Sequence, residues 1–108
     1  MKRILATLVL AVLAFAAAQG VTIGVLAPLT GGAAGTGQAQ KAGFELALEE
    51  INAAGGVLGQ PLKMIIEDTK ADPATGVAAF EKLMTEDNVE FIAGGYSSGV
   101  TLALVESF

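Results

Sequence analysis

Leu62-Lys63-Met64-Ile65-Ile66-Glu67-Asp68-Thr69-Lys70-Ala71-Asp72-Pro73 is the stretch that decides the fold. Entered through the turn Gly59-Gln60-Pro61, its first seven residues read as a β-strand. Asp72-Pro73 then announces a helix. An aspartate at the cap position accepts from free backbone N–H groups, and proline suits the first helical position, where its missing N–H costs nothing. Val77, Phe80, Leu83 and Met84 follow as the expected buried stripe. A strand feeding a helix is half of a βαβ unit, and the same alternation recurs on both sides of it.

Upstream, Val21-Thr22-Ile23-Gly24-Val25-Leu26 stays apolar with little strict alternation, as in a strand covered on both faces. It ends at Pro28. Residues 28–38 hold Gly31, Gly32, Gly35 and Gly37 with Thr30 and Thr36 among them, and predict a long glycine-rich loop. The spacing of Phe44, Ala47, Leu48, Ile51 and Ala54 predicts a helix over 38–54, closed by Gly55-Gly56 in a left-handed C-cap. Downstream, residues 89–93 read as a third strand, Gly94-Gly95-Tyr96-Ser97-Ser98-Gly99 as a loop, and 100–108 as the opening of a third helix. The order β-α-β-α-β-α predicts an α/β fold of three layers, a parallel sheet with right-handed crossovers and helices on both faces. Ligands bind at the carboxyl ends of strands in such sheets, so geometry nominates loops 28–37, 68–72 and 94–99.

Composition narrows the chemistry. Lys2 and Arg3 precede the apolar run 4–18, which closes on Ala16-Ala17-Ala18 and has the form of a secretory signal cleaved after Ala18. The run is short for a bilayer span of roughly 20 residues, and no cysteine stands at the cleavage site to take a lipid. A periplasmic product without a direct membrane anchor is therefore expected, with residues 19–108 as its ligand-binding part. Removing the signal takes net charge from -5 to -7, with 4 basic against 11 acidic side chains. An acidic domain without a basic cluster is a poor match for nucleic acid or an anionic membrane. The absence of cysteine and histidine removes thiolate nucleophiles, histidine acid-base pairs and the usual zinc and iron ligand sets. No cofactor and no metal are expected.

The glycine-rich loop fails both nucleotide motifs. Gly32 to Gly37 has the P-loop interval, but Gln38 stands where lysine is required; Gly35-Thr36-Gly37 begins a dinucleotide fingerprint, but Gln40 occupies its last position. Glu67 or Asp68 could imitate a ribose-binding acid, although carboxylates ending a strand are commonly solvated caps. The 94–99 loop is more informative. Free N–H groups at a helix start suit a carboxylate, and Ser97 and Ser98 add hydroxyl donors. The plainer reading makes Ser98 the N-cap and Tyr96 a half-buried aromatic. Gly95-Tyr96-Ser97-Ser98-Gly99 has the spacing of a nucleophile elbow, yet the chain supplies no triad to go with it, so an enzyme is not expected.

Leu26-Ala27-Pro28-Leu29-Thr30-Gly31, Gly43-Phe44-Glu45-Leu46-Ala47, Glu50-Ile51-Asn52-Ala53-Ala54-Gly55-Gly56-Val57-Leu58-Gly59, Asp68 with Asp72-Pro73, and the 94–98 run together resemble the periplasmic branched-chain amino acid binding proteins of ABC transporters, the type I periplasmic binding proteins. The likeness implies two α/β lobes closing on an amino acid, which a membrane permease then receives. It implies that Ser98 meets the ligand carboxylate, that Gly95, Tyr96 and Ser97 form the adjacent wall, and that Thr36 meets the ligand side chain. It implies a monomer. Members are several times longer, so the expectation for residues 19–108 is the opening part of the first lobe. A sensory receptor domain of the same fold and an exported nucleotide-binding enzyme are the competing readings. Among ligands, Tyr96 and Thr36 do not choose one amino acid.

Overall fold

Thr22–Ala27 forms the central strand, β1, and its last four residues are fully buried. The computed structural model describes residues 20–107, so the expected signal segment 1–18 lies outside the described residues. After β1 come helix α1 (Ala34–Ala53), strand β2 (Lys63–Asp68), helix α2 (Pro73–Thr85), strand β3 (Phe91–Gly94) and helix α3 (Ser98–Val105). The strands form a parallel sheet in the order β2-β1-β3. Ala27 stands opposite Asp68 and Leu26 opposite Gly94, so the three carboxyl ends finish nearly level.

The first crossover runs from the centre to one edge and the second passes back across the centre to the other edge. Right-handed connections then put α1 on one face and α2 on the other, giving three layers. Helix α3 shares the face of α2 and packs against it. Leu26, Ala79, Phe80, Leu83 and Val89 form the core there, with Ile65, Ile92 and Leu104 packed on it. The buried residues of α2 are Gly76, Ala79, Phe80 and Leu83, an i, i+3, i+4, i+7 stripe. Two small residues thus do what the sequence pattern assigns to Val77 and Met84, of which Met84 is 39% exposed. Gly76 has a reason: a Cβ there would lie 2.4 Å from Val100 Cγ1, so glycine lets α2 and α3 approach closely. On the other face Phe44 and Leu48 are only half-buried, and Leu46 and Ile51 are exposed.

The ends of the elements follow local chemistry. Gly56 N–H donates to Ile51 O (2.9 Å) and Gly55 N–H to Asn52 O (3.1 Å), which is a Schellman closure of α1. One left-handed glycine is expected there, and both have positive φ, +111° and +76°. Asn52 then ties the turn to β2: its Oδ1 accepts from Leu62 N–H (2.7 Å), and its Nδ2 donates to Leu62 O (2.9 Å). At α2, Asp72 is the N-cap as expected, accepting from Thr75 N–H and the Thr75 hydroxyl at 2.8 Å each.

One element differs from its expected form. Helix α1 begins at Ala34, not Gln38, and Gly35, Thr36 and Gly37 are helical. The loop is therefore only residues 28–33. Gly37 is not there for loop freedom: a Cβ on it would sit 1.8 Å from Pro28 O. It is the one buried residue of α1, at the point where the helix crosses the end of β1. Among the described residues no helix is long and apolar enough to cross a membrane.

Candidate functional site

The chain leaves β1 toward α1 on one face of the sheet and leaves the neighbouring β3 toward α3 on the other. Diverging connections open a crevice at the carboxyl ends of these two strands, the usual place for a ligand in a doubly wound sheet. Each wall is built by a separate set of constraints.

The β3 wall starts with two left-handed glycines, Gly94 (φ +99°) and Gly95 (φ +92°). A Cβ on Gly94 would come within 2.2 Å of Leu26 O, and Gly95 N–H donates to that same oxygen at 3.1 Å. The loop is thereby stitched to the end of β1. Ser97 takes the N-cap position of α3 with an extended backbone, while its side chain makes no cap hydrogen bond. The capping role expected of Ser98 thus falls to the neighbouring residue, and Ser98 is the first residue of the helix, exposed. Gly95, Tyr96 and Ser98 come together with Thr101, Leu102 and Val105 around an open hollow of about 330 Å³. Tyr96 is 50% exposed rather than packed away. Thr101 is the addition that sequence reasoning missed. Its place three residues after Ser98 puts it on the same helix face, and its hydroxyl donates to Ser97 O at 3.2 Å.

The β1 wall is organised by Asp68. Its Oδ1 accepts from Leu29 N–H (2.8 Å), Thr30 N–H (3.3 Å) and Lys70 N–H (2.8 Å), and its Oδ2 accepts from the Thr30 hydroxyl. Desolvation pushes this carboxyl up, but the Thr30 hydroxyl and the N–H groups of Lys70, Leu29 and Thr30 outweigh it and hold Asp68 below the ordinary aspartate range. Asp68 is therefore not a solvated strand cap, and its acceptor capacity is spent within the protein. That removes it as a ribose-binding acid. Thr36 lies on the first turn of α1, exposed, and is outside the hollow that holds Gly95, Tyr96 and Ser98. Gln38 Nε2 donates to Leu29 O at 3.1 Å, tying that turn of the helix to the same loop.

Two other hollows lie elsewhere. One of about 360 Å³ is lined by Gly20, Val21, Thr22, Asp87, Asn88 and Glu90 at the amino end of β1, opposite the nominated loops. The other, about 230 Å³, is largely apolar and runs beneath α3 beside Leu26, Phe80, Ile92 and Leu104. Among the described residues no group of His, Cys, Asp and Glu side chains is arranged to hold a metal ion.

Known proteins share this arrangement. A family model described as periplasmic binding protein matches residues 20–108. The Leu/Ile/Val-binding protein BraC3 of Rhizobium johnstonii is 41% identical over 104 residues, covering 94% of this chain and 28% of its own length. The Leu/Ile/Val-binding protein homolog 2 of Brucella abortus is 39% identical over 82 residues, 76% of this chain and 22% of its own. In structure, the chain is similar to the branched-chain amino acid transporter substrate binding protein LivJ of Streptococcus pneumoniae in complex with isoleucine. That likeness has TM-score 0.77 and 33% identity, over 82% of this chain and 25% of that one. It is also similar to a solute binding protein of an ABC transporter from Rhodopseudomonas palustris in complex with 3,4-dihydroxy benzoic acid, with TM-score 0.73 and 26% identity over 82% and 24%. The chain spans about a quarter of the length of the relatives it matches.

Proposed function

The chain belongs to the periplasmic binding protein family, and from that membership we propose that it carries the first ligand-gripping loops of a substrate-binding protein that delivers amino acids, branched-chain ones first, to the permease of an ABC importer. The family and its solved neighbours are solute-binding proteins rather than enzymes. The observation that carries the reading is the start of α3. The Ser97 side chain makes no cap hydrogen bond and Ser98, the first residue of α3, lines the hollow, which supports the Ser98 hydroxyl and the first-turn N–H groups as donors to a ligand there.

The two ligands named for the solved neighbours, isoleucine and 3,4-dihydroxy benzoic acid, differ in almost everything except a carboxylate. A carboxylate is what a helix start with a serine hydroxyl holds best. No basic side chain lines the hollow around Ser98. The site therefore suits one carboxylate received by neutral donors, as on a zwitterionic amino acid, rather than a multiply charged anion. Tyr96 and Leu102 offer apolar surface beside it, and Thr36, on the first turn of α1 and outside this hollow, is assigned to the side chain of the ligand. The product acts in the periplasm as a monomer, reached through the signal at 1–18. Sensing is the weaker alternative because the named relatives are transporter components.

The test is isothermal titration of the processed chain with leucine, isoleucine and valine, and with the corresponding amines that lack the carboxylate. Binding of the acids and not the amines is expected. Ser98→Ala should weaken the acids by about 1–3 kcal/mol, the scale of a hydrogen bond to a charged group. Equal binding of acid and amine, or an unaltered Ser98→Ala affinity, sinks the assignment.

A further inference from the structure

Asp68 is the most heavily bonded side chain at the carboxyl edge of the sheet, yet it lies on β2, one strand away from the crevice. Its partners explain why that matters. Leu29 and Thr30 follow β1 directly and are 38 or 39 residues away in the chain. Without Asp68 the N–H groups of both would face a short loop with no acceptor of comparable strength. The other end of the connection is Lys70, whose N–H reaches the same Oδ1 and whose backbone, with that of Ala71, is left-handed (φ +51° and +57°). Below them Thr69 is buried and donates its N–H to Ala27 O at 3.0 Å. The β1 and β2 loops are therefore one hydrogen-bonded unit with Asp68 at its centre.

That unit sets the start of α1. Pro28 O lies against Gly37 so closely that no Cβ fits between them, and Leu29 O receives the Gln38 side chain. Thr36 immediately precedes these two contact residues. A shift of Leu29 or Thr30 is therefore passed toward Thr36 through the backbone contact of Pro28 and Leu29 with Gly37, which has no side chain to absorb it.

Taking the ligand-binding reading above as its premise, we propose that Asp68 is a positioning residue, which fixes the β1 loop and through it places Thr36 at the crevice without touching the ligand. The β3 wall, stitched to Leu26 O by Gly95, does not depend on it.

Amide hydrogen exchange and chemical shifts of the processed chain, read by NMR without ligand, test this directly. In Asp68→Ala the amides of Leu29, Thr30 and Lys70 should exchange at least about tenfold faster, the effect expected when a charge-assisted acceptor is lost. The resonances of Thr36 and Gln38 should move, and those of Gly95 to Thr101 should not. Asp68→Asn should restore the pattern to within about twofold, since its oxygen still accepts from Leu29 and Lys70 and its amide can donate to the Thr30 hydroxyl oxygen. Uniformly faster exchange that includes Val25 and Leu83 would make Asp68 a general stabiliser and overturn the proposal. So would unmoved Thr36 resonances, or an Asp68→Asn variant as loose as Asp68→Ala. Should Asp68→Ala fail to fold, Thr30→Val removes the hydroxyl arm alone and must still shift Thr36. Isoleucine is then added to the unsubstituted chain. If it perturbs nothing near Ser98, the binding reading fails, while the exchange comparison still decides what Asp68 does.

Discussion

Gly35 and Gly37 stand two residues apart at the start of α1, and alanine at the two positions should move stability in opposite directions. At Gly35 an added Cβ meets nothing within 4 Å. The substitution there only exchanges the poorest ordinary helix former for the best, a gain of about 0.5–1 kcal/mol. At Gly37 the same atom would lie 1.8 Å from Pro28 O and 2.4 Å from Pro28 C, whereas real Cβ contacts essentially never fall under 3.0 Å. Helix and loop must separate by roughly an ångström or more, and both partners are backbone, so no rotamer change relieves the contact. Overpacking of this kind costs about 1–3 kcal/mol, and a rigid backbone contact belongs at the upper end. Subtracting the helix gain leaves a net loss of about 2 kcal/mol. For a domain of this size 1 kcal/mol moves Tm by about 4–8 °C. Thermal unfolding of the processed chain, followed by circular dichroism, should therefore show a fall of about 8–16 °C for Gly37→Ala and a rise of a few degrees for Gly35→Ala. Shifts of the same sign would refute the reasoning, for it would mean that α1 does not press on the end of β1 as described.

Asp72→Ala removes the acceptor for both the N–H and the hydroxyl of Thr75, so the midpoint of urea unfolding should fall with its slope unchanged. Ligand preference should not change, and an altered order of leucine, isoleucine and valine affinities would contradict its role as a cap. Asp72 is held below the ordinary aspartate range by the Thr75 N–H and then the Thr75 hydroxyl, and Asp68 is lowered as well. Both therefore stabilise the fold above the unfolded value of about 3.9, and that contribution disappears as pH falls through their folded values. Urea midpoints measured from pH 6 down to pH 2 should drop below about pH 4, and less steeply in Asp68→Asn. On the alkaline side the Glu67 carboxylate, followed by Asp87 and Glu86, raises Lys82. Its contribution is complete below the unfolded value of about 10.4 and is lost as pH rises through the folded one.

How far the sequence could be read depended on what each residue was selected for. Asp72-Pro73 and Gly55-Gly56 act on backbone within a few residues of themselves, one by a capping carboxylate and the other by adopting positive φ, and such local roles leave a local pattern. The strands and the order of elements were legible for the same reason. Gly37 and Gly76 act on residues distant in the chain, Pro28 and Val100. Nothing beside them announces this, so the sequence pattern puts Gly37 in a loop and favours Val77 over Gly76. Asp68 is the same case among polar residues, because a carboxylate at a strand end looks alike whether it meets water or a loop 39 residues away. At the site, Gly95, Tyr96 and Ser98 do gather around one hollow. The serine that caps could not be chosen within Ser97-Ser98, because both suit the position and only the direction of the chain after Gly94 and Gly95 decides.

The shorter β1 loop changes what the crevice is. With α1 beginning at Ala34, both walls are helix starts: Ala33 caps α1 and Ser97 caps α3, and neither uses a side chain to do it. Helix α2, which starts at the outer edge of the sheet beyond β2, is capped by the Asp72 carboxylate. The Asp72 carboxylate on the chain serves the start of α2, whereas no side chain caps α1 or α3, and the first N–H of α1 is taken by Gly31 O (3.2 Å). This difference answers the objection that residues 19–108, with net charge -7, should repel an anion. Long-range repulsion between exposed charges is screened within about 8 Å at physiological salt, while a carboxylate bound at Ser98, as proposed, would meet the positive end of the α3 dipole at contact distance. The balance favours a ligand that carries one carboxylate and no net charge, since it takes the local attraction in full and feels little of the overall field. A zwitterionic amino acid, the ligand proposed above, has that form. Raising ionic strength should accordingly leave the affinity for leucine nearly unchanged, and strengthen binding of a simple carboxylate such as 4-methylpentanoate, which carries the same side chain without the ammonium. Equal salt dependence of the two, measured by titration at low and high sodium chloride, would show that the overall field does not distinguish them and would refute this account.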